Sequence, residues 1–217
     1  MKKGLTELVF ILDKSGSMGG LETDTIGGYN SMLAKQQAVE GECLITTVLF
    51  DNNYELLHDR IDLKAVSAIT EKEYQVGGST ALLDAIGRTI HKIGNAQKNT
   101  DDDYRAEKVM FVIITDGEEN SSREYSVEKV KAQIERQKTK YGWEFIFLGA
   151  NIDAVETAGR FGIAPNRAVD YLADGEGTKL NYTVMAQAVA TFREVGTVDE
   201  ACFEEIRKDV KRRGGRK

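Results

Sequence analysis

The stretch Leu8-Val9-Phe10-Ile11-Leu12-Asp13-Lys14-Ser15-Gly16-Ser17 decides the fold, because it joins an uninterrupted apolar run to a polar loop. An apolar run of this length that ends at a polar turn predicts a strand buried on both faces of a sheet. Helix-like sequence follows the pair Gly19-Gly20. The polar loop therefore lies where a buried strand ends and a helix begins, which is where ligands bind in open parallel sheets.

The polar loop supplies one carboxylate and two hydroxyls, at Asp13, Ser15 and Ser17. All three are hard oxygen donors of the kind that Mg²⁺ prefers. Two later loops offer further oxygens: Thr80 stands within Gly-Gly-Ser-Thr-Ala-Leu at the start of a helical pattern, and Asp116 follows a second apolar run. Because three oxygens on one short loop rarely hold a metal, we expect all five side chains to converge on one divalent cation.

Helix capping is the alternative role for these side chains, since Ser, Thr and Asp are favoured immediately before a helix. For Asp13, Ser15 and Ser17 alone, the pattern supports capping and metal binding equally. Thr80 and Asp116 shift the balance toward metal binding, and Thr80 is able to fill both roles at once. Metal binding is therefore our hypothesis for the five residues.

Other polar side chains receive a simpler interpretation. Glu118, Glu119 and Asn120 follow the second apolar run, and we interpret them as a solvated rim rather than as ligands. No serine or cysteine motif neighbours either histidine, His58 or His91. A catalytic triad is therefore not predicted.

Apolar runs alternate with helical patterns along the chain, which predicts an α/β fold with a mainly parallel sheet. The turn Asp51-Asn52-Asn53 joins two runs as a hairpin and predicts one antiparallel edge strand. The pair Gly27-Gly28 interrupts the first helical pattern, and we expect it to let that helix approach the sheet closely. The predicted strands are residues 5–12, 43–50, 54–58, 108–115, 144–148 and 168–172.

Capping signals predict where several helices begin and end. Ser126 is a favourable first residue for one helix, and Asn151 for a later, short one. Gly196 is expected to stop a long helix. Thr197 and Glu200 are spaced as a capping box for the final helix.

Three motifs in this order, Asp-x-Ser-x-Ser, Gly-Gly-Ser-Thr-Ala-Leu and Thr-Asp-Gly, resemble those of the von Willebrand factor type A domain. The resemblance covers roughly residues 5–160. It implies a Rossmann-like, doubly wound, mainly parallel six-stranded sheet with one antiparallel edge strand and helices on both faces. We assign residues 1–196 to this domain and residues 197–217 to a C-terminal helix and a basic tail, whose end, 211–217, is expected to fray.

The resemblance also implies a metal-ion-dependent adhesion site. In such sites two serines and a threonine coordinate Mg²⁺ directly, which carries over to Ser15, Ser17 and Thr80, with Mn²⁺ or Ca²⁺ as alternative ions. The two aspartates, Asp13 and Asp116, then balance the charge largely through bound water or exchange into the shell. Because few carboxylates bind it directly, the ion stays electrophilic, and its free position accepts a Glu or Asp side chain from a partner protein.

Composition narrows the classes of function. A net charge of -6 over 217 residues disfavours binding to a nucleic acid backbone. The two cysteines, Cys43 and Cys202, are too few for a disulfide framework and fit a reducing compartment. The apolar run near the start is too short for a signal peptide, and no stretch is long enough to cross a membrane. We therefore expect a cytoplasmic protein without nucleic acid or membrane partners.

The resulting hypothesis is a protein-binding module, not an enzyme, that works as an intracellular interaction or assembly factor through a metal-bound carboxylate of its partner. The alternative is a Mg²⁺-dependent phosphoryl-transfer hydrolase that uses Asp13 at the end of its strand. This alternative is weaker, because a haloacid-dehalogenase-like pattern wants a second aspartate where Ser15 stands. A Gly-Lys-Ser/Thr phosphate loop does not occur either.

Overall fold

The computed structural model describes residues 1–214, and within them six strands form one sheet that lies between two layers of helices. The strands are β1 (Lys2–Asp13), β2 (Cys43–Phe50), β3 (Tyr54–Asp62), β4 (Ala106–Thr115), β5 (Glu144–Ala150) and β6 (Ala168–Tyr171). The helices are α1 (Glu22–Gln37), α2 (Leu82–Asn99), α3 (Val127–Tyr141), α4 (Ala154–Arg160), α5 (Gly175–Val195) and α6 (Glu204–Arg213). None of these helices has the length and apolar character that crossing a membrane requires.

The strands lie in the order β3-β2-β1-β4-β5-β6, and β3 runs antiparallel to β2 while the other neighbours are parallel. β2 and β3 are added on one side of β1, and β4, β5 and β6 are added on the other side. The strand order therefore reverses between β1 and β4, and this topological switch point leaves a crevice at the carboxyl ends of the two strands. This topology confirms the predicted doubly wound fold with one antiparallel edge strand.

Both faces of β1 are buried, as its apolar run predicts. Phe10 packs into the core on one face of the sheet and Val9 and Ile11 into the core on the other, and all three are 0% exposed. Helices α1, α5 and α6 cover the first face, whereas α2, α3 and α4 cover the second. Because side chains alternate between the faces of a strand, only an uninterrupted apolar sequence fills both cores.

The C-terminal helix packs on the same side of the sheet as α1 and α5. Phe203, just before α6, and Ile206 within it are 0% and 1% exposed, and both belong to the same apolar core as Phe10. The segment after α5 therefore contributes to the core of the sheet. The division of the chain at residue 196 stays a prediction.

The basic tail is helical as far as the structure describes it. α6 continues to Arg213, whose guanidinium group pairs with the carboxylates of Asp209 and Asp174, the latter at 2.7 Å. Basic side chains at the carboxyl end of a helix also interact favourably with its dipole. These contacts hold the last turn of α6, and the fraying of the tail stays a prediction. The final part of the tail, residues 215–217, lies outside the described residues.

Four strands are longer than the sequence predicts. β1 and β4 begin earlier, at Lys2 and Ala106 instead of residues 5 and 108, and β3 and β5 end later. β3 runs on to Asp62 instead of ending at His58, because its last residues still pair with β2. β5 includes Gly149 and Ala150, which pair with β6. Gly149 therefore does not end β5, although glycine favours turns, because β6 still offers this residue a pairing partner.

Two predicted caps are wrong, and in each case a nearby aspartate takes the role. Asp153, not Asn151, caps α4 by accepting a hydrogen bond from the backbone N–H three residues later. Asp199, not Thr197, accepts a backbone N–H at the start of a 3₁₀ turn that leads into α6, so the box with Glu200 does not form. A carboxylate near the amino end of a helix gains further from the helix dipole, which explains the preference.

Other local predictions are confirmed. Ser126 caps α3, since its Oγ accepts a hydrogen bond from Lys129 N at 3.3 Å. Gly196 ends α5 in the left-handed conformation, with a φ of 80°. The prediction for Gly28 holds only in part, because the close approach there is to α5: a Cβ built on Gly28 would overlap the ring of Tyr182. α1 itself packs on the sheet, where the Tyr29 hydroxyl lies 2.6 Å from Thr47 Oγ1 of β2.

A buried ion pair links β1 to β3. Glu7 is 0% exposed, and its Oε1 accepts a hydrogen bond from Arg60 Nε at 2.5 Å while the side-chain amide of Gln97 donates to Oε2. Arg60 has a φ of 50°, which residues with a side chain rarely adopt. The pairing of β2 with β3 is irregular at this point, and the guanidinium group reaches in to Glu7. The pair therefore neutralises a charge that would otherwise be buried alone.

We expect Arg60→Met to lower the free energy of unfolding by about 3 kcal/mol, because Glu7 would stay buried without its counter-charge. The matched control is Lys92→Met, which removes the exposed pair of Lys92 with Asp59 at 2.8 Å. That control should cost less than about 1 kcal/mol, since solvent screens the exposed pair. Urea denaturation measures both values, and equal costs for the two variants would contradict the assignment.

Candidate metal centre

Three loops meet at the carboxyl ends of β1 and β4. The loop after β1 and the loop of residues 77–81 are joined by backbone hydrogen bonds, from Gly16 N to Gly78 O at 3.1 Å and from Gly77 N to Lys14 O at 2.9 Å. The third loop follows β4, the strand that pairs directly with β1. The crevice where the strand order reverses is therefore lined by all three predicted motifs.

Asp13 is fixed at the end of β1 by hydrogen bonds to both of its carboxylate oxygens. It is 1% exposed, and Oδ1 accepts from Ser15 N at 2.7 Å while Oδ2 accepts from Thr115 Oγ1 at 2.5 Å. The Tyr74 hydroxyl donates to the backbone carbonyl oxygen of Asp13. One carboxylate thus ties the loop after β1 to the end of β4.

The hydroxyls of Ser15 and Ser17 continue this set of contacts toward Asp116. The two Oγ atoms lie 3.1 Å apart, and Ser17 Oγ donates to Asp116 Oδ1 at 2.6 Å. The other carboxylate oxygen, Asp116 Oδ2, is buried and has no hydrogen-bond partner within residues 1–214. A buried carboxylate oxygen without a partner carries a high desolvation cost, which a bound cation would remove.

Gly117 brings Thr80 into the same group. A Cβ built on Gly117 would lie 3.1 Å from Ser17 Oγ and 3.5 Å from Thr80 Oγ1, so the two hydroxyls face the same small space. Thr80 is 3% exposed, whereas Ser17 is exposed at the rim of the crevice. The structure therefore brings all five predicted residues to one end of the sheet.

The hydroxyls in this group do not cap helices. Ser15 precedes a 3₁₀ turn (Gly16–Met18) without a side-chain hydrogen bond to that turn. The residue before α2 is Ala81, and the first N–H groups of α2 donate to Glu119 Oε2 and Ser122 Oγ rather than to Thr80. The capping alternative is therefore wrong for Ser15 and Thr80, and their side-chain oxygens remain available to a ligand.

Asn120 and Glu119 position Thr80 from the other side of the crevice. Thr80 N donates to Asn120 Oδ1 at 2.9 Å, and Thr80 O accepts from Asn120 N at 3.0 Å. Glu119 accepts backbone N–H groups from the start of α2 and from its own loop. These two residues are more than a solvated rim, because they fasten the loop after β4 to the loop that carries Thr80.

The charge of the site also fits a cation. Burial raises the pKa of Asp13, partly offset by the hydrogen bonds from Ser15 and Thr115. Burial likewise raises the pKa of Asp116, and the negative charge of Asp13 raises it further. The lysine of the loop after β1, Lys14, pairs with Glu55 instead. Two buried carboxylates therefore lie close together without a basic side chain paired to either of them in the described part of the chain.

The candidate centre is not built from acidic, cysteine and histidine side chains alone. Within residues 1–214 no group of three or more such side chains is placed to hold a metal ion. The candidate centre has two carboxylates, and hydroxyls complete its oxygen donors. This composition fits a hard cation such as Mg²⁺ and does not fit Zn²⁺, which prefers thiolate and imidazole ligands.

Sequence reasoning missed two residues that hold Asp13. Thr115 was visible in the Thr-Asp-Gly motif, and a hydroxyl directly before a strand-end aspartate was the available signal. Tyr74 lies in an irregular segment more than sixty residues from Asp13, and the sequence carries no signal for that contact. The sequence predicts only a solvated rim for Asn120 and Glu119, because their hydrogen bonds to Thr80 and to the start of α2 depend on the folded arrangement.

No family model matches this chain, and a search of curated proteins finds no match either. Solved structures do resemble it. The manganese-loaded TRAP protein of Plasmodium vivax aligns with a TM-score of 0.59 at 20% identity, over 82% of this chain and 72% of that one. A von Willebrand factor type A protein from Catenulispora acidiphila gives 0.58 at 14% identity, over 85% and 42%. A mutant of the PilB minor pilin from Streptococcus sanguinis gives 0.58 at 11%, over 88% and 63%.

These likenesses define the fold. The chain has the Rossmann-like α/β architecture of the von Willebrand factor type A domain, in agreement with the motif order in its sequence. It spans 63% of the length of the pilin and 42% of that of the Catenulispora protein. At identities of 20% and below, the comparison establishes the fold and leaves the activity to be argued from the site.

We expect Gly117→Ala to weaken Mn²⁺ binding about tenfold, because the added methyl group would press against Ser17 Oγ from 3.1 Å. Gly27→Ala in α1 is the control, since a Cβ built there meets no atom within 4 Å. Titration calorimetry with Mn²⁺ measures the affinities, and circular dichroism checks that both variants fold. An unchanged affinity in Gly117→Ala would place the ion elsewhere.

Proposed function

We propose that this protein binds a divalent cation, Mg²⁺ with Mn²⁺ or Ca²⁺ as substitutes, in the crevice between β1 and β4. The observation that carries the proposal is the grouping of the Ser17 and Thr80 hydroxyls around Gly117, beside the unpartnered oxygen of Asp116. A hard divalent cation is the ligand whose preferences match this all-oxygen donor set.

In this proposal Ser15, Ser17 and Thr80 are the direct ligands, and Asp13 and Asp116 balance the charge of the ion. The manganese-loaded TRAP structure, which shares the fold, supports a divalent ion as the occupant. When bound, the ion acts as an electrophile that attracts oxygen ligands from outside the protein. The residues of the chain hold the ion and leave its outward side open, because Ser17 is exposed at the rim.

The proposed role of the site is to recognise a carboxylate of a partner protein. Both oxygens of Asp13 already accept hydrogen bonds from Ser15 and Thr115, so this side chain neutralises the ion only from a distance. Residues that hold an ion in this way would leave it enough positive charge to bind a Glu or Asp side chain of the partner, as in a metal-ion-dependent adhesion site. We propose that the protein is an interaction or assembly factor, without nucleic acid or membrane partners.

The enzyme alternative has less support from the same geometry. A hydrolase that uses Asp13 as nucleophile needs a carboxylate oxygen that a phosphoryl group can reach. Asp13 is 1% exposed, and both of its oxygens are engaged. We therefore propose a binding module rather than an enzyme. The free thiols of Cys43 and Cys202 support a reducing, cytoplasmic setting for it.

We expect Mg²⁺ at a hundredfold excess over its dissociation constant to raise the free energy of unfolding by about 2.7 kcal/mol, because it binds only the folded state. Thr80→Val and Asp13→Ala should lose this stabilisation, the first by losing a ligand and the second by losing charge. Thr80→Ser keeps the hydroxyl and serves as the control. Denaturation with and without EDTA gives the values, and stabilisation of Thr80→Val and Asp13→Ala by Mg²⁺ to the same extent as the wild type would refute the proposed site.

We expect capture of the partner to depend on the ion. The wild-type chain, used as bait in an extract of its own cells, should retain a partner with Mg²⁺ present and release it with EDTA. Thr80→Val should retain none, whereas Thr80→Ser should behave like the wild type. Substituting the partner's contacting Glu or Asp, located by cross-linking, with the corresponding amide should also abolish capture. A partner retained in EDTA would rule out recognition through the metal.

A further inference from the structure

A second cleft lies at the opposite end of the sheet from the candidate metal centre. It has a volume of about 600 Å³ and opens between α2 and α3, beside the amino ends of β4 and β5. Small-molecule sites in proteins typically measure about 300–1,000 Å³. The cleft is therefore large enough for an organic ligand, and it shares no residue with the metal centre.

The floor of the cleft is apolar and aromatic. Ile90, Val109 and Trp143 line it, and each is less than a tenth exposed. Trp143 stacks on Phe111 with ring centroids 5.4 Å apart and an interplanar angle of 16°, which fixes the indole ring in place. A rigid aromatic wall of this kind suits the apolar body of a ligand.

The rim of the cleft is basic, in contrast to the net charge of -6 of the chain. Lys98, Arg136 and Lys140 line the rim, and all three are exposed. They form no ion pair with a carboxylate in the part of the chain that the structure describes, whereas Arg105 beside them pairs with Asp102. Three basic side chains that line one cleft without acidic partners favour an anionic ligand.

Four polar side chains also line the cleft: Gln133, Asn95, His91 and Glu107. Gln133 Oε1 is buried and has no hydrogen-bond partner within residues 1–214. The amide of Asn95 bonds to His91 at 2.9 Å, and both side chains line the cleft. The acidic lining residue, Glu107, accepts a hydrogen bond from Gly4 N at 2.8 Å. A ligand that carries an N–H or O–H donor beside its anionic group would satisfy Gln133 Oε1.

We propose that this cleft binds a small organic anion, with an apolar body against Trp143 and a phosphate, sulfonate or carboxylate group held by Arg136, Lys140 and Lys98. Charge complementarity selects the anion, because an uncharged apolar ligand would leave the basic rim unused. The volume selects a small molecule over a protein segment. The site is independent of the proposed metal centre, so its test does not require a metal.

Trp143 makes the proposal directly measurable, because it is the single tryptophan of the chain and lies in the wall of the cleft. The probe is anilinonaphthalene sulfonate, which combines aromatic rings with an anionic group and accepts excitation energy from tryptophan. We expect saturable binding of one dye molecule with energy transfer from Trp143. Displacement of the dye by adenosine monophosphate or by a fatty carboxylate then tells which anionic group the site prefers.

Matched variants separate the cleft from the rest of the surface. Arg136→Ala with Lys140→Ala should weaken dye binding on the order of tenfold or more, since charged hydrogen bonds are lost. Lys129→Ala with Lys131→Ala removes the same charge from exposed positions of the same helix outside the cleft, and it should change nothing.

A steric variant tests the cleft without changing charge. Gly94→Leu places a side chain in the cleft, where a Cβ built on Gly94 lies 3.4 Å from Gln137 Nε2. The added side chain should block the dye. The helix itself should tolerate the change, because leucine has a higher helix propensity than glycine. Dye binding that is unaffected by Gly94→Leu and by the Arg136 and Lys140 double variant would overturn the proposal. Displacement by a polyglutamate peptide but not by small anions would overturn it too, in favour of an acidic protein segment.

Discussion

The hydrogen bond from Thr115 Oγ1 to Asp13 Oδ2 is the contact on which the candidate site depends. It joins the ends of β1 and β4, the two strands between which the strand order reverses. Backbone pairing aligns these strands, but pairing alone does not determine where the loops after them go. The carboxylate of Asp13 does so, because it receives Ser15 N from its own loop and a hydroxyl from the neighbouring strand.

The loop of residues 77–81, which carries Thr80, reaches the site by different means. It is not part of the sheet, and its place comes from backbone hydrogen bonds to the loop after β1 and from Asn120 of the loop after β4. Thr80 is therefore held from two sides by loops that are themselves joined through Asp13. This arrangement keeps the hydroxyl groups oriented without requiring them to hydrogen-bond to helices, which is how oxygen atoms remain available in a buried crevice.

The sequence predicts the fold well because the decisive signals are local. The apolar run before Asp13 indicates a strand with two buried faces, and its position next to a hydroxyl-rich loop indicates the edge where ligands bind. The same reasoning fails for Tyr74, Asn120 and Arg60, whose partners are distant in the chain. Arg60 adopts a backbone conformation that its residue type disfavours, at an irregular point of the pairing between β2 and β3 from which its side chain reaches Glu7. The cleft beside Trp143 is likewise created by the packing of two helices rather than by a motif.

The hydrogen bond from Ser17 to Asp116 bears on how a cation enters the crevice. A hydroxyl has two lone pairs besides its proton, so Ser17 Oγ is able to coordinate an ion while it still donates to Asp116 Oδ1. A hydrogen bond to a charged group contributes about 1.5–3 kcal/mol, and ion binding would leave this contribution in place. The serine already holds the acidic side chain in position before an ion binds. The crevice would therefore keep the same side-chain arrangement with and without an ion, and ion binding would require little reorganisation.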